Sequence, residues 1–353
     1  LVLPPRRIVN LDEWWYGIPV RFQKAPAMVP KIALAVFAAS LAAAPAFAFP
    51  VTIENCGRTL TIDHAPERAV VQDINMSEML FALHVQANMA GITGVTGWYK
   101  TTPAFDAARG AVPELAPKYP SLETLIAANA DFFLAGWYYG MTPGGAVTPD
   151  TLARAGIKTY VLTESCSHID APPVKASMDL LYTDELALGQ IFGKAEAARA
   201  LVTEWQARIA RIGAAVKDKP RLRVFVYDSG EDKPFTAGRF AMPTALIDAA
   251  GGRNVLDDLP MSWGTVSWEE VAMRNPQFLI LLDYQDGAGY RKLLDFLKAH
   301  PAMAATDAVK NQRFIPLRYE QLTPGPANIG AVEALARSLH PDAFGPREIG
   351  QSE

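Results

Sequence analysis

Short continuous apolar runs alternate along this chain with stretches whose apolar residues recur at helical spacing. That alternation predicts parallel strands joined by helical crossovers. After a hairpin-like start at 51–53 and 59–62 around a Cys56-Gly57 turn, the runs fall at 69–71, 89–95, 158–162, 221–227 and 313–317. Between them Met79, Leu80, Phe81 and Leu83 lie at helical spacing. So do 151–155, stopped by Gly156, and 244–250, stopped by Gly251-Gly252. Further helices are predicted around 290–299 and from Pro326-Ala327-Asn328 onward.

One pattern occurs twice. Ser121-Leu122-Glu123-Thr124-Leu125 runs through Asn129 into the apolar run Phe132-Phe133-Leu134-Ala135-Gly136-Trp137-Tyr138, and Ser267-Trp268-Glu269-Glu270-Val271 runs through Asn275 into Phe278-Leu279-Ile280-Leu281-Leu282-Asp283-Tyr284. At a constant offset of 146 (121 to 267) the serine, the glutamate, the asparagine, the first phenylalanine and a tyrosine coincide. Each copy reads as a short serine-capped helix followed by a buried strand that ends in aromatic residues. In the second copy Glu270 also stands where a capping box wants its acid, whereas Thr124 holds that place in the first. The repeat predicts an α/β chain of two similar lobes with parallel sheets.

A third kind of pattern lies between the copies. Over 194–217 there is no proline, alanine is frequent, and Leu201, Trp205, Ile209, Ile212 and Val216 share one stripe before Pro220 closes the segment. That is one helix about 36 Å long, enough to pass from one lobe to the other. The expected organisation is therefore a first lobe at 49–193, a connecting helix at 194–218, a second lobe at 219–345 and a loose tail at 346–353.

The N-terminal stretch reads as a leader. Met28-Val29-Pro30-Lys31 gives a positive start, 32–44 is apolar, and Ala46-Phe47-Ala48 is a small-x-small cleavage site, so 28–48 is expected to be a signal peptide. Residues 1–27 mix prolines, Trp14-Trp15-Tyr16 and charges without periodicity, and are expected to be an extension outside the fold. An uncleaved anchor is the alternative, but the apolar run falls short of the roughly 20 residues a membrane helix needs. Export to the periplasm gives meaning to the only two cysteines, Cys56 and Cys166: an oxidising compartment favours a disulfide between them, with two separately buried thiols as the other reading.

At 353 residues, half of them apolar, the chain can fill two cores, and a net charge of −4 gives no reason to expect nucleic acid. Catalytic signatures are missing: 189–194 lacks the spacing and hydroxyl of a phosphate loop, and no Gly-x-Ser-x-Gly occurs. The five histidines have no metal-ligand spacing; only His168, two residues past Cys166, stands out. No metal site, resident cofactor or catalytic residue is predicted.

Aromatic residues and arginines gather where strands stop instead: Trp98 and Tyr99, Trp137 and Tyr138, Tyr227, Tyr284, and Arg318 with Tyr319, while Arg239 follows another apolar run. Ligands of open parallel sheets bind beyond the carboxyl ends of the strands, so these nine side chains are expected to converge on one crevice, with ordinary packing or solvation as the alternative for each. Flat aromatic walls with arginines would suit a bulky, partly planar, anionic ligand.

The exported start, the twin segments Pro120-Ser121-Leu122-Glu123-Thr124-Leu125 and Val266-Ser267-Trp268-Glu269-Glu270-Val271, the connecting helix, and Ala249-Ala250-Gly251-Gly252-Arg253-Asn254-Val255 together resemble the periplasmic binding proteins of ABC importers for iron siderophores, haem and vitamin B12. The resemblance runs from Val51 to about His340. It implies two Rossmann-like lobes joined by one rigid helix and a chelate held between them with little closing motion; the expected protein is a monomeric, non-enzymatic receptor. It also implies that one glutamate per lobe, here Glu123 and Glu269, docks on arginines of the membrane permease. An iron-siderophore-type chelate is the expected cargo, with a corrinoid, haem or a deazaflavin precursor as alternatives. Asn55-Cys56-Gly57, 227–231 and 235–239 resemble a subgroup associated with the last of these. A two-lobed nitrogenase-like enzyme is the alternative of another class, disfavoured because such enzymes hold clusters through several cysteines.

Overall fold

The computed structural model describes residues 49–169, 175–284 and 289–344. The expected leader, the segment before it and the tail lie outside the described residues. No helix among the described residues is long and apolar enough to cross a membrane.

Two parallel sheets organise the fold. In the first lobe the order is Glu114–Ala116, Met89–Thr93, Ala69–Gln72, Phe132–Trp137, Lys158–Val161; in the second it is Arg253–Asn254, Arg223–Tyr227, Phe278–Asp283, Phe314–Arg318. Phe132–Trp137 and Phe278–Asp283 are buried at every position, as strands covered on both faces must be. Each lies beside the first strand of its parallel sheet, with Ala69 opposite Phe132 and Val224 opposite Phe278. Strand order reverses at that pair in both lobes, which opens a crevice at the strands' carboxyl ends.

The repeat has a local cause. Ser121 caps Leu122–Ala127 and Ser267 caps Trp268–Met273, each hydroxyl accepting the backbone N–H three residues on, at 3.2 and 3.1 Å. Both turns then leave the helix at an asparagine with positive φ, Asn129 (49°) and Asn275 (42°), a conformation asparagine tolerates better than most residues. The capping box expected in the second copy does not close: Glu270 pairs with Arg274 at 2.8 Å, one turn further along the same helix.

The connecting helix runs Ala195–Val216, about 33 Å at 1.5 Å per residue. It packs on Asp179–Ile191 of the first lobe and on Ala327–Leu339 of the second, where Arg208 makes a bidentate pair with Glu333 at 2.8 and 2.9 Å. Its buried stripe is Ala198, Val202, Trp205, Ile212 and Val216, with Leu201 and Ile209 half-buried beside it. Glycine at 189 permits the first of these contacts, since a Cβ there would sit 2.3 Å from that of Ala198.

Cys56 and Cys166 are disulfide-bonded, with Cα atoms 5.2 Å apart. The bond clips the turn of the hairpin Val51–Asn55/Arg58–Ile62 to the turn Thr163–His168. Asn55 adds a clasp: its side-chain amide donates to the Val161 carbonyl at 2.8 Å and accepts from the Val161 N–H at 2.7 Å, pairing the open edge of Lys158–Val161.

One apolar core runs through both lobes and the connecting helix. Polar ties cross the same seam: Asn75 donates to the Pro324 carbonyl at 2.7 Å, Ala176 N–H to the Arg239 carbonyl at 3.0 Å, and Lys175 pairs with Asp248 at 2.6 Å.

Candidate functional site

Between the carboxyl ends of the two sheets lies a cavity of about 1080 Å³. The first lobe contributes Asp73, Trp98, Tyr99, Tyr119, Tyr138, Tyr139 and His168. The second contributes Tyr227, Asp228, Glu231, Phe235, Trp263, Tyr284, Lys292, Phe296 and Tyr319, with smaller groups between them.

Its floor is an aromatic stack that spans the lobes. Tyr99 lies on Tyr319 with ring centroids 4.5 Å apart and on Tyr284 at 5.9 Å, tilted by only 24° and 14°. Phe235 and Trp263, brought together by antiparallel pairing of Phe235–Ala237 with Trp263–Thr265, stack at 5.9 Å on another wall. The rim is open: Trp98, Tyr119 and Tyr138 are 42%, 44% and 53% exposed, unusual for such large side chains. Tyr138 stands at φ 65°, accepts the Tyr119 hydroxyl on its carbonyl at 2.5 Å, and meets the edge of His168 at 4.9 Å. Burial holds the His168 imidazole below its usual pKa, which favours the neutral ring.

Two carboxylates face this aromatic box. Asp73, 1% exposed, accepts from Gln72 at 2.8 Å and from the Tyr319 hydroxyl at 3.4 Å. Asp228, 7% exposed, accepts from Ser229 at 2.5 Å and from the Tyr284 hydroxyl at 2.8 Å. Burial raises both acids above the usual carboxylate range, Asp73 to about 7, against the opposing pull of these donors. Burial, and then the neighbouring acids, push the Tyr284 and Tyr319 phenols far above their ordinary range, so both remain neutral donors.

Of the nine side chains expected at the crevice, Trp98, Tyr99, Tyr138, Tyr227, Tyr284 and Tyr319 line it. Three expectations are corrected. Trp137 points to the outer layer of the first lobe, in one apolar cluster with Val147, Leu152 and the disulfide. The Arg239 guanidinium donates to the carbonyls of Asp257 and Asp258 at 2.9 and 3.1 Å, a loop it braces. Arg318 is engaged by the buried Glu320 and by the Lys100 carbonyl of the other lobe, so it ties the lobes together. Among the described lining residues there is no arginine, and the wall is acidic where a basic one was expected.

Asp73, Asp228, Phe235 and Trp263 also line the cavity and were not among the nine side chains expected there. A signal existed for the acids: each stands just past an apolar run, Asp73 separated only by Gln72 from 69–71 and Asp228 immediately after 221–227. Glu123 and Glu269 both lie exposed in the first turn of their capped helices. Among the described residues no group of three histidines, cysteines or acids could hold a metal ion.

Two α/β lobes on one connecting helix, with a ligand-sized hollow at matched sheet ends, define a solute-binding protein. Residues 70–320 match the family model described as periplasmic binding protein, and the chain belongs to that family. A cobalamin-binding protein of Halobacterium salinarum is 26% identical over 238 residues, covering 67% of this chain and 59% of that protein, less than two thirds of its length. A solved periplasmic binding protein from Veillonella parvula superposes with a TM-score of 0.73 at 27% identity, over 82% of this chain and 97% of that one. A protein of an ABC-type Fe3+-hydroxamate transport system from Saccharomonospora viridis shares the fold, with a TM-score of 0.70 at 24% identity, over 82% and 99% of the two chains.

Proposed function

We propose that this protein is an exported, non-enzymatic receptor that captures a bulky metal chelate or corrinoid-class cofactor between its lobes and delivers it to an inner-membrane ABC importer. The observation that carries the reading is the aromatic-walled cavity of about 1080 Å³, just above the size usual for small-molecule sites. The Tyr99–Tyr319–Tyr284 stack offers flat apolar surface to a large ring or chelate and joins both lobes around it. Relatives that bind solutes, one of them named for cobalamin, support the same reading. The disulfide suits an oxidising compartment.

Docking on the permease is assigned to Glu123 and Glu269. They occupy one position of the repeat, one on each lobe, and each shares a helix face with an exposed apolar residue one turn on, Ile126 (51% exposed) or Met273 (80%). An acid beside an apolar knob, presented twice, suits a two-fold partner carrying arginines.

Mass spectrometry of ligand co-purified from the periplasm tests the reading directly. Titration of the purified protein should also quench tryptophan fluorescence, because Trp98 and Trp263 line the cavity. Absence of any response to ferric siderophores, haem and corrinoids alike would reject it.

A further inference from the structure

The receptor reading leaves open what the cavity selects, and two of its residues bear on that. Asp73 and Asp228 hold the same place in the two halves. Ala69 faces Phe132 and Val224 faces Phe278, the two phenylalanines coincide in the repeat, and each aspartate lies four residues beyond its strand partner. Both therefore stand where a first strand runs out at the switch point of its sheet, and both line the cavity.

Each acid is costly where it is. Burying a carboxylate without a counter-ion is unfavourable, and no ion pair to either one exists among the described residues. Asp73 is moreover held at φ 64°, ψ 159°, a region nearly reserved for glycine. The protein itself supplies two hydrogen bonds to each carboxylate, which can accept about four. Tyr284 and Tyr319 spend their hydroxyl protons on these acids and offer only lone pairs elsewhere. Lys292, on the exposed side of Gly289–Ala299, is the lone lysine or arginine among the described lining residues.

We propose that Asp73 and Asp228 form a matched pair of acceptors, one per lobe, that selects ligands presenting amide or ammonium donors toward both lobes and rejects polyanionic chelates. The proposal rests on the receptor reading and narrows it to a donor-rimmed, uncharged or cationic cargo. Each retained charge-assisted hydrogen bond favours such a ligand by about tenfold or more, and a carboxylate set in the same place meets repulsion instead.

Matched probes test this whatever the native cargo. Cyanocobalamin is compared with its derivatives in which side-chain amides are hydrolysed to carboxylates, and ferrioxamine B, with its pendant ammonium, is compared with its N-succinyl derivative. Affinities are read by tryptophan quenching at pH 8.5, above the raised pKa of Asp73, so that it is ionised in the free protein. On whichever scaffold binds, the amide or ammonium form should bind about 30-fold or more tightly than the carboxylate form. Asp73→Asn and Asp228→Asn, made singly and together, keep side-chain size and should each shrink that ratio about tenfold. Either variant that retains a cooperative thermal transition suffices. A carboxylate form that binds equally well, or a ratio unmoved by folded Asn variants, overturns the selectivity and leaves the receptor reading standing. Binding of neither scaffold in any form overturns the selectivity, and overturns the receptor reading as well only if haem and other ferric siderophores also fail to bind.

Discussion

Glu164 of the first lobe accepts the backbone N–H of Met242, the first residue of helix Met242–Ala249 in the second, at 2.7 Å across the seam. The carboxyl is wholly buried behind the cavity. Burial raises it to about 8, the Met242 N–H opposes that, and the nearby Asp184 adds to it. Its other oxygen has no hydrogen-bond partner among the described residues.

A pH dependence of stability follows. A carboxyl near its ordinary 4.5 in the unfolded chain and near 8 in the folded one binds more protons when folded, so its contribution is full below about 4.5 and declines as pH rises to about 8. Asp184 (about 7) and Glu78 (about 8), also raised by burial, act in the same direction. Acids that are lowered, such as Glu333 beside Arg208, act only below the ordinary carboxylate range. Thermal melts should therefore be higher at pH 5.5 than at pH 8.5 by roughly 3–6 °C, and Glu164→Gln should flatten that slope. A melting temperature that climbs with pH over this interval would contradict the assignment.

The disulfide closes a loop with a sequence separation of 110. Restricting so long a loop in the unfolded chain stabilises the fold by about 2–5 kcal/mol. Cys56→Ser with Cys166→Ser should lower the denaturant midpoint accordingly. Reductant should do the same to the native protein and nothing to the double variant. The Asn55 clasp on Val161 keeps the hairpin docked, so the variant should still fold.

Tyr99 is the ring shared by both halves of the aromatic floor. Truncating it removes stacking surface from the ligand and from the lobe contact together. Tyr99→Ala should weaken capture about 10- to 100-fold, read as the shift in a fluorescence titration, whereas Tyr99→Phe should stay within about threefold of the parent.

Much of this arrangement was legible because repeats and strand ends are sequence-local. The two serine caps, the asparagine exits and the buried strands follow from residues within one short window, and the aromatic residues after them reached the crevice with the chain. Arg239 and Arg318 were misplaced because nothing local states which acceptor captures a guanidinium. Loop carbonyls took one, and Glu320 with the opposite lobe took the other. Trp137 failed for a different reason. It is the last residue of its strand, its side chain falls on the outer face, and the reversal at Tyr138 hands the cavity to the next residue. The two aspartates stand just past apolar runs in the sequence, but their equivalence needed the strand register, through which the repeat extends back from the phenylalanines to the first strand of each parallel sheet.

Gly94 guards one of those aspartates. At φ 75° it adopts a conformation other residues resist, and a Cβ there would lie 1.9 Å from Gln72 Nε2, the donor to Asp73. Gln72 cannot simply retreat, because its carbonyl oxygen accepts from Thr93 at 2.7 Å and Gly140 crowds its stem. Gly94→Ala should cost about 1–3 kcal/mol of stability by denaturant unfolding, and the surviving folded protein should bind its cargo more weakly.

Glu123 and Glu269 separate capture from delivery. Both are exposed on the cassette helices and neither is among the residues lining the cavity, so removing them should leave the binding isotherm unchanged. Each also favours its helix N-terminus electrostatically, a small effect on a solvent-exposed side chain, so Glu123→Ala with Glu269→Ala should melt within a few degrees of the parent. Uptake of labelled ligand by cells or permease-containing vesicles should nonetheless fall at least about tenfold, the loss expected when charge pairs at an interface are truncated. Reversal to lysine at both sites should abolish it. The exposed apolar neighbours give an independent check: Ile126→Ser with Met273→Ser should reduce delivery while preserving both charge and affinity. Equal loss of affinity and uptake in the glutamate variant would place these acids in the ligand site or the fold, and the docking assignment would fail.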